Sequence, residues 1–506
     1  MATSFLLSLP EELVAAIASE VAVNDLLHLA QTCKELHRVA QDRLLSNATY
    51  HEQYRLQHDR LPLTTPELLR FTLNGSDQAW NIRALEHWGL RPEWKKWRTY
   101  PFTHFNDDPN WPEQYEEHPG LDQSFFEGHE YDLFEHVMRE RLHLTHAETT
   151  EWLEKTHDGW DEPLKGMLMA LAPRLDRANF IAYDSWQAKD YHDTHPLTFL
   201  CLAITRIAET PAALWPPGFL SLRKVSVCTT TNLRHGHDAY YANASEVAPL
   251  FLLPNLKILN LGLLGYMDAE EPDWQLAPRS SSVEELAFYC CELDAAQLCK
   301  LIRACKRLRR FMCDRNGLRE VTELLADEYA DCLEEPITRL RTAETQYPDL
   351  VARFTKLRSL EALTVEDLLV QNPTDTNGDD ELRPLNSFLP TSIESIRIND
   401  SKRLHDSAAA SSALLRSIAD LAADRRYTAL REVCLFRALD ERSRTLYERH
   451  EATLRAMEAK GGVSLHVLGK EGGLMGREEH RGLHRDLASG RLTDVESDPR
   501  PVGERD

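Results

Sequence analysis

Residues able to do covalent or metal chemistry are present in this chain, but none stands at a spacing that a reaction requires. Structural zinc is held by Cys or His pairs about two to four residues apart. Cys290-Cys291, Cys299, Cys305 and Cys313 form no such pairs and fit core positions instead. His235 and His237 flank a glycine and lack a second pair. His480 and His484 have helical metal spacing, yet Arg481 stands where a metalloprotease carries its glutamate base. Gly469-Lys470 is followed by Glu471, so the hydroxyl and upstream glycine of a phosphate loop are missing. Asn372 to Asp380 is rich in calcium-type ligands but lacks the closing glutamate of an EF-hand, and reads as a surface loop. The expectation is a protein without catalytic residues, resident metal or cofactor.

What remains is association through apolar faces, and the first fifty residues carry the clearest one. Pro10 suits a first helical turn, where its missing donor is unpaired anyway, and Glu11 and Glu12 favour the positive end of the helix. Leu13, Val14, Ile17 and Val21 then form one stripe. Asn24 or Asp25 can cap a second helix with Leu26, Leu29, Ala30, Cys33, Leu36 and Ala40 on its apolar side. A segment this short has little core of its own. Its spare apolar surface must meet the rest of the chain or another protein.

Leu9-Pro10, the acidic pair Glu11-Glu12, Leu13, Ile17, Val21, then Asp25-Leu26 with Leu29, Cys33 and Leu36 resemble an F-box. The family's tryptophan shortly after is absent; Leu44-Leu45-Ser46 stands there. The resemblance implies a substrate receptor of a cullin–RING ubiquitin ligase, which binds a Skp-type adaptor through this face and a client through the rest of the chain. It places adaptor binding on Leu9, Pro10, Leu13, Ile17, Val21, Leu26 and Leu29. The other reading of the segment is a helical cap on the following domain.

The 506 residues are 42% hydrophobic, ample for a large core. A net charge of −23 argues against a nucleic-acid partner, which clustered cations would serve. Lys306 to Arg310 is a local basic run and reads as a solvated face around a structural Leu308. No run of apolar residues is long enough to span a membrane. Met1 to Ser4 lacks the basic start of a secretory leader, and ten scattered cysteines make no disulfide framework, so cytosol or nucleus is expected.

The later chain repeats a strand template, apolar-x-x-apolar-x-apolar. Copies are Leu175/Ala178/Phe180, Leu222/Val225/Val227, Leu256/Leu259/Leu261, Val283/Leu286/Phe288, Leu308/Phe311/Cys313, Leu360/Leu363/Val365, Ile393/Ile396/Ile398 and Leu430/Val433/Leu435. Helical periodicity intervenes at Pro163–Leu171, Leu197–Ile207, Ala295–Cys305 and Leu414–Leu421. Strand then helix, repeated, predicts an α/β fold: a small helical F-box followed by an irregular leucine-rich-repeat solenoid, parallel strands inside and helices outside. An ordinary parallel α/β domain shows the same alternation. The pairing of the two modules is similar to fungal F-box proteins. The boundaries predicted are 1–50 for the F-box, 51–159 for an irregular aromatic-rich joining region, 160–469 for the repeats and 470–506 for a mobile tail. Positions exposed on the repeat strands, Lys257, Asn260, Glu284, Glu285, Arg397 and Arg431, are the expected client contacts. The alternative function is a repeat scaffold with no ligase role.

Overall fold

The computed structural model describes residues 9–97 apart from 89, 121–182 apart from 122, 197–229, 244–262, 264, 276–313 apart from 290 and 292, 319–338, 351–364, 369–370, 381–399 apart from 383, 408–436 and 463–468. The expected loop at 372–380, the expected tail, and His235, His237, His480 and His484 lie outside the described residues. The chain divides into two compact units. One comprises Met1–Thr229 with Leu252–Leu256, the other Thr230–Phe251 with Lys257–Asp506. Among the described residues, no helix is long and apolar enough to cross a membrane, and no group of His, Cys, Asp and Glu could hold a metal ion.

The first unit starts with three helices, α1 (Glu11–Glu20), α2 (Val23–Thr32) and α3 (Lys34–Tyr54). They are followed by β1 (Leu56–His58), α4 (Thr64–Leu73), α5 (Asp77–Trp80), β2 (Ala84–His87), α6 (Gly128–His136), α7 (His146–Asp158) and α8 (Glu162–Leu171). The unit closes with β3 (Arg177–Ala182), α9 (Thr198–Ala208), α10 (Pro217–Ser221) and β4 (Lys224–Thr229). The four strands run parallel in chain order. Leu85, Ala178 and Val225 share one register row and are buried; His87, Phe180 and Val227 share the next inward row. Parallel strands need helices to cover them, which is why each inward row is apolar over most of its length.

The exception is at the β1–β2 end. Ile82 and Leu85 start the strand template, but its third slot holds His87, which packs 5.1 Å from the Phe180 ring. Burial pushes the His87 imidazole down to about 3, so it is neutral. Beside it lies a buried ion cluster. Lys165 Nζ on α8 is 2.8 Å from both Asp59 Oδ2 and Asp161 Oδ2. Arg91 Nη1 is 3.3 Å from Asp161 and 3.7 Å from Asp59. Asp59 Oδ1 also accepts the Trp88 amide at 2.7 Å, and Asp161 Oδ1 the Arg91 amide at 3.0 Å. Two carboxylates and two cations balance. Burial opposes the ionisation of Asp59, but Lys165 and Arg91 prevail and hold its carboxyl below the usual range. The cluster ties the segment after β1 to α8.

The aromatic-rich stretch is packed where it is described. Trp88, Trp94 and Trp97 are buried, with Trp94 stacked on Trp97 at 4.8 Å. Their indoles donate to the His157 and Gly159 carbonyls, both at 2.7 Å. Gly159 ends α7 at φ +105, and a Cβ there would meet the Trp94 backbone nitrogen at 2.3 Å. A capping box opens α7: Thr145 and Glu148 exchange side-chain and backbone bonds there.

The second unit contains α11 (Ala244–Val247), β5 (Ile258–Gly262), β6 (Glu285–Tyr289), α12 (Ala295–Ala304), β7 (Arg310–Cys313), α13 (Arg319–Glu328) and β8 (Glu335–Thr338). Then come β9 (Ser359–Thr364), β10 (Leu369–Val370), β11 (Glu381–Leu382), β12 (Ser395–Asn399), α14 (Ala408–Ala423), β13 (Glu432–Phe436) and β14 (Ser464–Leu468). Strands β5 to β8 pair in parallel and in chain order. Strands β9, β12, β13 and β14 form a second parallel sheet, and β10 and β11 an antiparallel pair. One template copy is corrected in phase. The expected triplet began at Leu360, whereas Leu357 and Leu360 are the buried first and second positions, and Leu360 pairs with Ile396. A bulge then separates Leu360 from Leu363, and this irregularity hid the phase.

A second regularity was not expected. The residue after the first apolar position of the strand segments leading into β5, β6, β7, β8, β9, β12 and β13 alternates in sign: Lys257, Glu284, Arg309, Glu334, Arg358, Glu394, Arg431. Each donates its backbone amide to the carbonyl of the one before, at 2.7–2.8 Å. Side chains follow: Lys257 to Glu284 at 2.6 Å, Arg309 to Glu334 at 3.0 Å, Arg358 to Glu394 at 3.8 Å. Register brings these residues side by side, so opposite charges attract and a slip by one strand would stack like charges. The Arg309 hydrogen bond holds the Glu334 carboxyl below its usual range.

Three predictions come from these contacts. Lys165→Met leaves Asp59 and Asp161 buried with one cation between them and should destabilise by about 3–5 kcal/mol in urea unfolding. Glu334→Arg places three cations in a row and should cost about 1–2 kcal/mol, a penalty that shrinks in high salt. Because Glu334 titrates below the ordinary carboxylate range, its contribution is full above that range and is lost as pH falls through the lowered value. The gap between wild type and Glu334→Gln should therefore close in acid.

Candidate protein-docking site

The site expected near the amino terminus rests on α1, α2 and α3. Pro10 stands just ahead of α1, and its carbonyl accepts the Leu13 and Val14 amides at 3.0 and 3.2 Å. The expected cap at Asn24 or Asp25 is corrected: α2 begins at Val23, so both lie inside its first turn, where Asp25 suits the helix dipole. The expected single helix through Leu26 and Ala40 is also corrected. Cys33 is extended, at φ −160 and ψ 165, and divides α2 from α3. That break lets the two helices fold onto each other. Leu26 and Ala30 from α2 meet Ala40 and the partly buried Leu44 from α3.

The same folding sorts the apolar residues. On α1 the inward pair is Val14 and Ala18, one turn apart. Leu13 and Ile17 precede them by one residue, about 100° round the helix, and are 51% and 40% exposed. On α2 the inward pair is Leu26 and Ala30, and the adjacent Leu27 is 54% exposed. On α3, Leu45 follows the partly buried Leu44 and is 60% exposed. The stripe read from sequence as one face is therefore two: an inner row that builds the unit and an outer row facing solvent. Among the expected docking residues, Leu13 and Ile17 lie in the outer row, Pro10 is exposed, and Leu9, Val21 and Leu29 are half-buried. Leu26 is 1% exposed and serves the inner row, so it cannot touch a partner directly. Sequence reasoning missed Leu27 and Leu45. Their signal was adjacency to the inward leucine of an apolar pair.

Solvent-facing leucines on neighbouring helices are stabilised by transfer from water of about 1.5–3 kcal/mol each when covered. The nearby ion pair of Arg38 with Glu11 and Glu35, at 2.8 and 2.7 Å, is itself exposed. The arrangement can dock an apolar partner surface.

Of the residues expected to touch a client, Lys257, Asn260, Glu284 and Glu285 lie on or just before the neighbouring strands β5 and β6. Lys257 and Glu284 bind each other in the charge ladder, and Glu285 binds Arg310 at 3.0 Å. Arg431 is exposed at the far end of the ladder, and Asn260 is half-buried within β5. Arg397 lies in β12, with its side chain outside the described residues. For Lys257, Glu284 and Glu285 the strand neighbours supply partners that sequence spacing alone did not show.

An F-box-like family model matches residues 6–49. The three opening helices are thus an F-box-like domain, carried by a chain whose remainder is α/β with parallel sheets. No curated protein matches the chain.

The inner and outer rows should respond oppositely to substitution. Leu26→Ala should lower unfolding free energy by about 2–4 kcal/mol, through lost transfer energy and a cavity. Leu13→Asp with Ile17→Asp should leave the melting temperature within a few degrees of wild type, since surface changes are worth about half a kcal/mol. Differential scanning calorimetry on both variants checks this.

Proposed function

We propose that the chain is the substrate-recognition subunit of a Skp–cullin–F-box type ubiquitin ligase. The observation that supports this best is the outer row of leucines on an F-box-like domain, left uncovered by the chain's own core. A Skp-type adaptor is the partner such a domain takes, and the cullin complex follows through the adaptor. The role is positional: the client is held near a charged ubiquitin-conjugating enzyme, which raises effective concentration without bond chemistry by this chain. The α/β remainder, read as irregular leucine-rich repeats over 160–469, holds a protein client. Nucleic acid and membrane are not among the proposed partners, and cytosol or nucleus is the proposed compartment.

Co-expression of the full chain with a Skp-type adaptor tests this. Wild type should retain the adaptor through affinity purification and gel filtration. Leu13→Asp with Ile17→Asp should lose it by at least about tenfold in affinity, a loss of roughly 1.4 kcal/mol or more, while the chain stays folded. A folded wild-type chain that never retains the adaptor would instead favour a scaffold without a ligase role.

A further inference from the structure

One side chain on α3 touches three parts of the first unit at once. The Arg43 Nη1 donates to the carbonyls of Ala18 and Ser19, at 3.2 and 3.0 Å, and to that of Val21. These are the last carbonyls of α1 and its exit, groups a helix leaves without internal donors. No basic residue stands in the last turn of α1 itself. Arg43 supplies the missing cation from a different helix, where it also suits the negative end of the dipole. The other edge of the guanidinium grips Asp77 at the start of α5, Nε to Oδ2 at 3.0 Å and Nη2 to Oδ1 at 2.9 Å. One turn further along α3, Asn47 Oδ1 accepts from Asn81 Nδ2 at 2.6 Å, just beyond α5. Arg43 and Asp77 are each about three-quarters covered, so water competes weakly for the bonds.

The two halves of this clamp belong to different modules. Ala18, Ser19 and Val21 lie within the matched F-box-like segment; Asp77 and Asn81 lie beyond it. We propose that Arg43 is a positioning residue that locks the F-box-like helices to α5, and so fixes the direction in which the docked adaptor faces relative to the body of the first unit. This rests on the ligase reading above for its use, because a receptor that works by placing a client needs its docking face held at one angle. The clamp itself stands on geometry alone. Lysine cannot replace it: a single ammonium lacks the flat fork that meets a carboxylate and a row of carbonyls together.

The test uses the full chain with spin labels on unnatural side chains introduced at the exposed Ala15 on α1 and Glu154 on α7. Distance distributions are measured free and with the Skp-type adaptor bound. Wild type should give one narrow distribution in both states. Arg43→Ala should broaden it by about twofold or more while adaptor affinity changes less than about threefold, since Arg43 is not among the exposed apolar residues. Arg43→Lys should fall between. Asp77→Asn takes the charge and one of the two acceptor oxygens from the body side of the clamp and leaves the α1 carbonyls capped; it should broaden the distribution with unchanged helix content. That variant keeps the test valid if Arg43→Ala fails to fold. A distribution that stays narrow in Asp77→Asn, or in a folded Arg43→Ala, overturns the proposal. Failure of the adaptor to bind wild type would sink the ligase reading, while distances in the free chain still decide whether the clamp sets orientation.

Discussion

A three-helix unit as short as α1 to α3 has room inside for one apolar row per helix. Val14 and Ala18, Leu26 and Ala30, and Leu36 and Ala40 fill that room. Most of these are alanines or single leucines, so the helices approach closely and the interior is complete without the larger side chains beside them. Leu13, Ile17, Leu27 and Leu45 stand one residue from that row, about 100° round their helices, and stay outside. Exposed apolar residues set singly are ordinary; Leu13 and Ile17 stand one turn apart on one helix of an F-box-like domain, with Leu27 and Leu45 on the neighbouring helices, and together they are the surface on which the ligase proposal rests. The ligase reading depends on this division of one apolar sequence into an inner and an outer row.

The rest of the first unit holds that surface in place. α3 runs directly into β1 with only Arg55 between, and the Arg55 carbonyl accepts the amides of Arg83 and Ala84 at the start of β2. The helix that closes the F-box-like domain is thereby the helix that leads into the sheet. Beside it, the Asp59–Lys165–Asp161–Arg91 cluster binds the segment after β1 to α8 with four charges that sum to zero. Buried ion groups of this kind add little net stability over apolar packing, but removing one partner leaves an uncompensated buried charge and costs about 3–5 kcal/mol. The charge ladder of the second unit works by the same logic at lower strength: each pair is weak, and the alternation as a whole favours one strand order.

Much of the strand pattern was legible in the sequence. The buried triplets at Leu256/Leu259/Leu261, Val283/Leu286/Phe288 and Ile393/Ile396/Ile398 fall on β5, β6 and β12 as their spacing implies. β2 was illegible because His87 occupies the slot the template reserves for an apolar residue, and Asp59 and Lys165 interact across more than a hundred positions. The segment at Leu333 was illegible because Pro336 and Thr338, which pair with Phe311 and Cys313, hold the slots the template reserves for apolar residues. The ladder was written in plain view, one residue after each leading apolar position, but its meaning appears only when register sets Lys257 beside Glu284 and Arg309 beside Glu334. At the docking site the residue types were legible and their facing was not. Leu13 and Val14 look alike in sequence, and a one-residue step on a helix decides which becomes interior.

Methyl resonance mapping of the full chain as a Skp-type adaptor is added tests the inner–outer division most directly. The account predicts that the methyl groups of Leu13, Ile17 and Leu27 shift and lose contact with solvent at saturation, while those of Val14, Ala18 and Leu26 keep their positions. An adaptor that binds without moving the outer-row signals, or a chain whose outer-row methyls are already shielded from solvent before any partner is added, would contradict it.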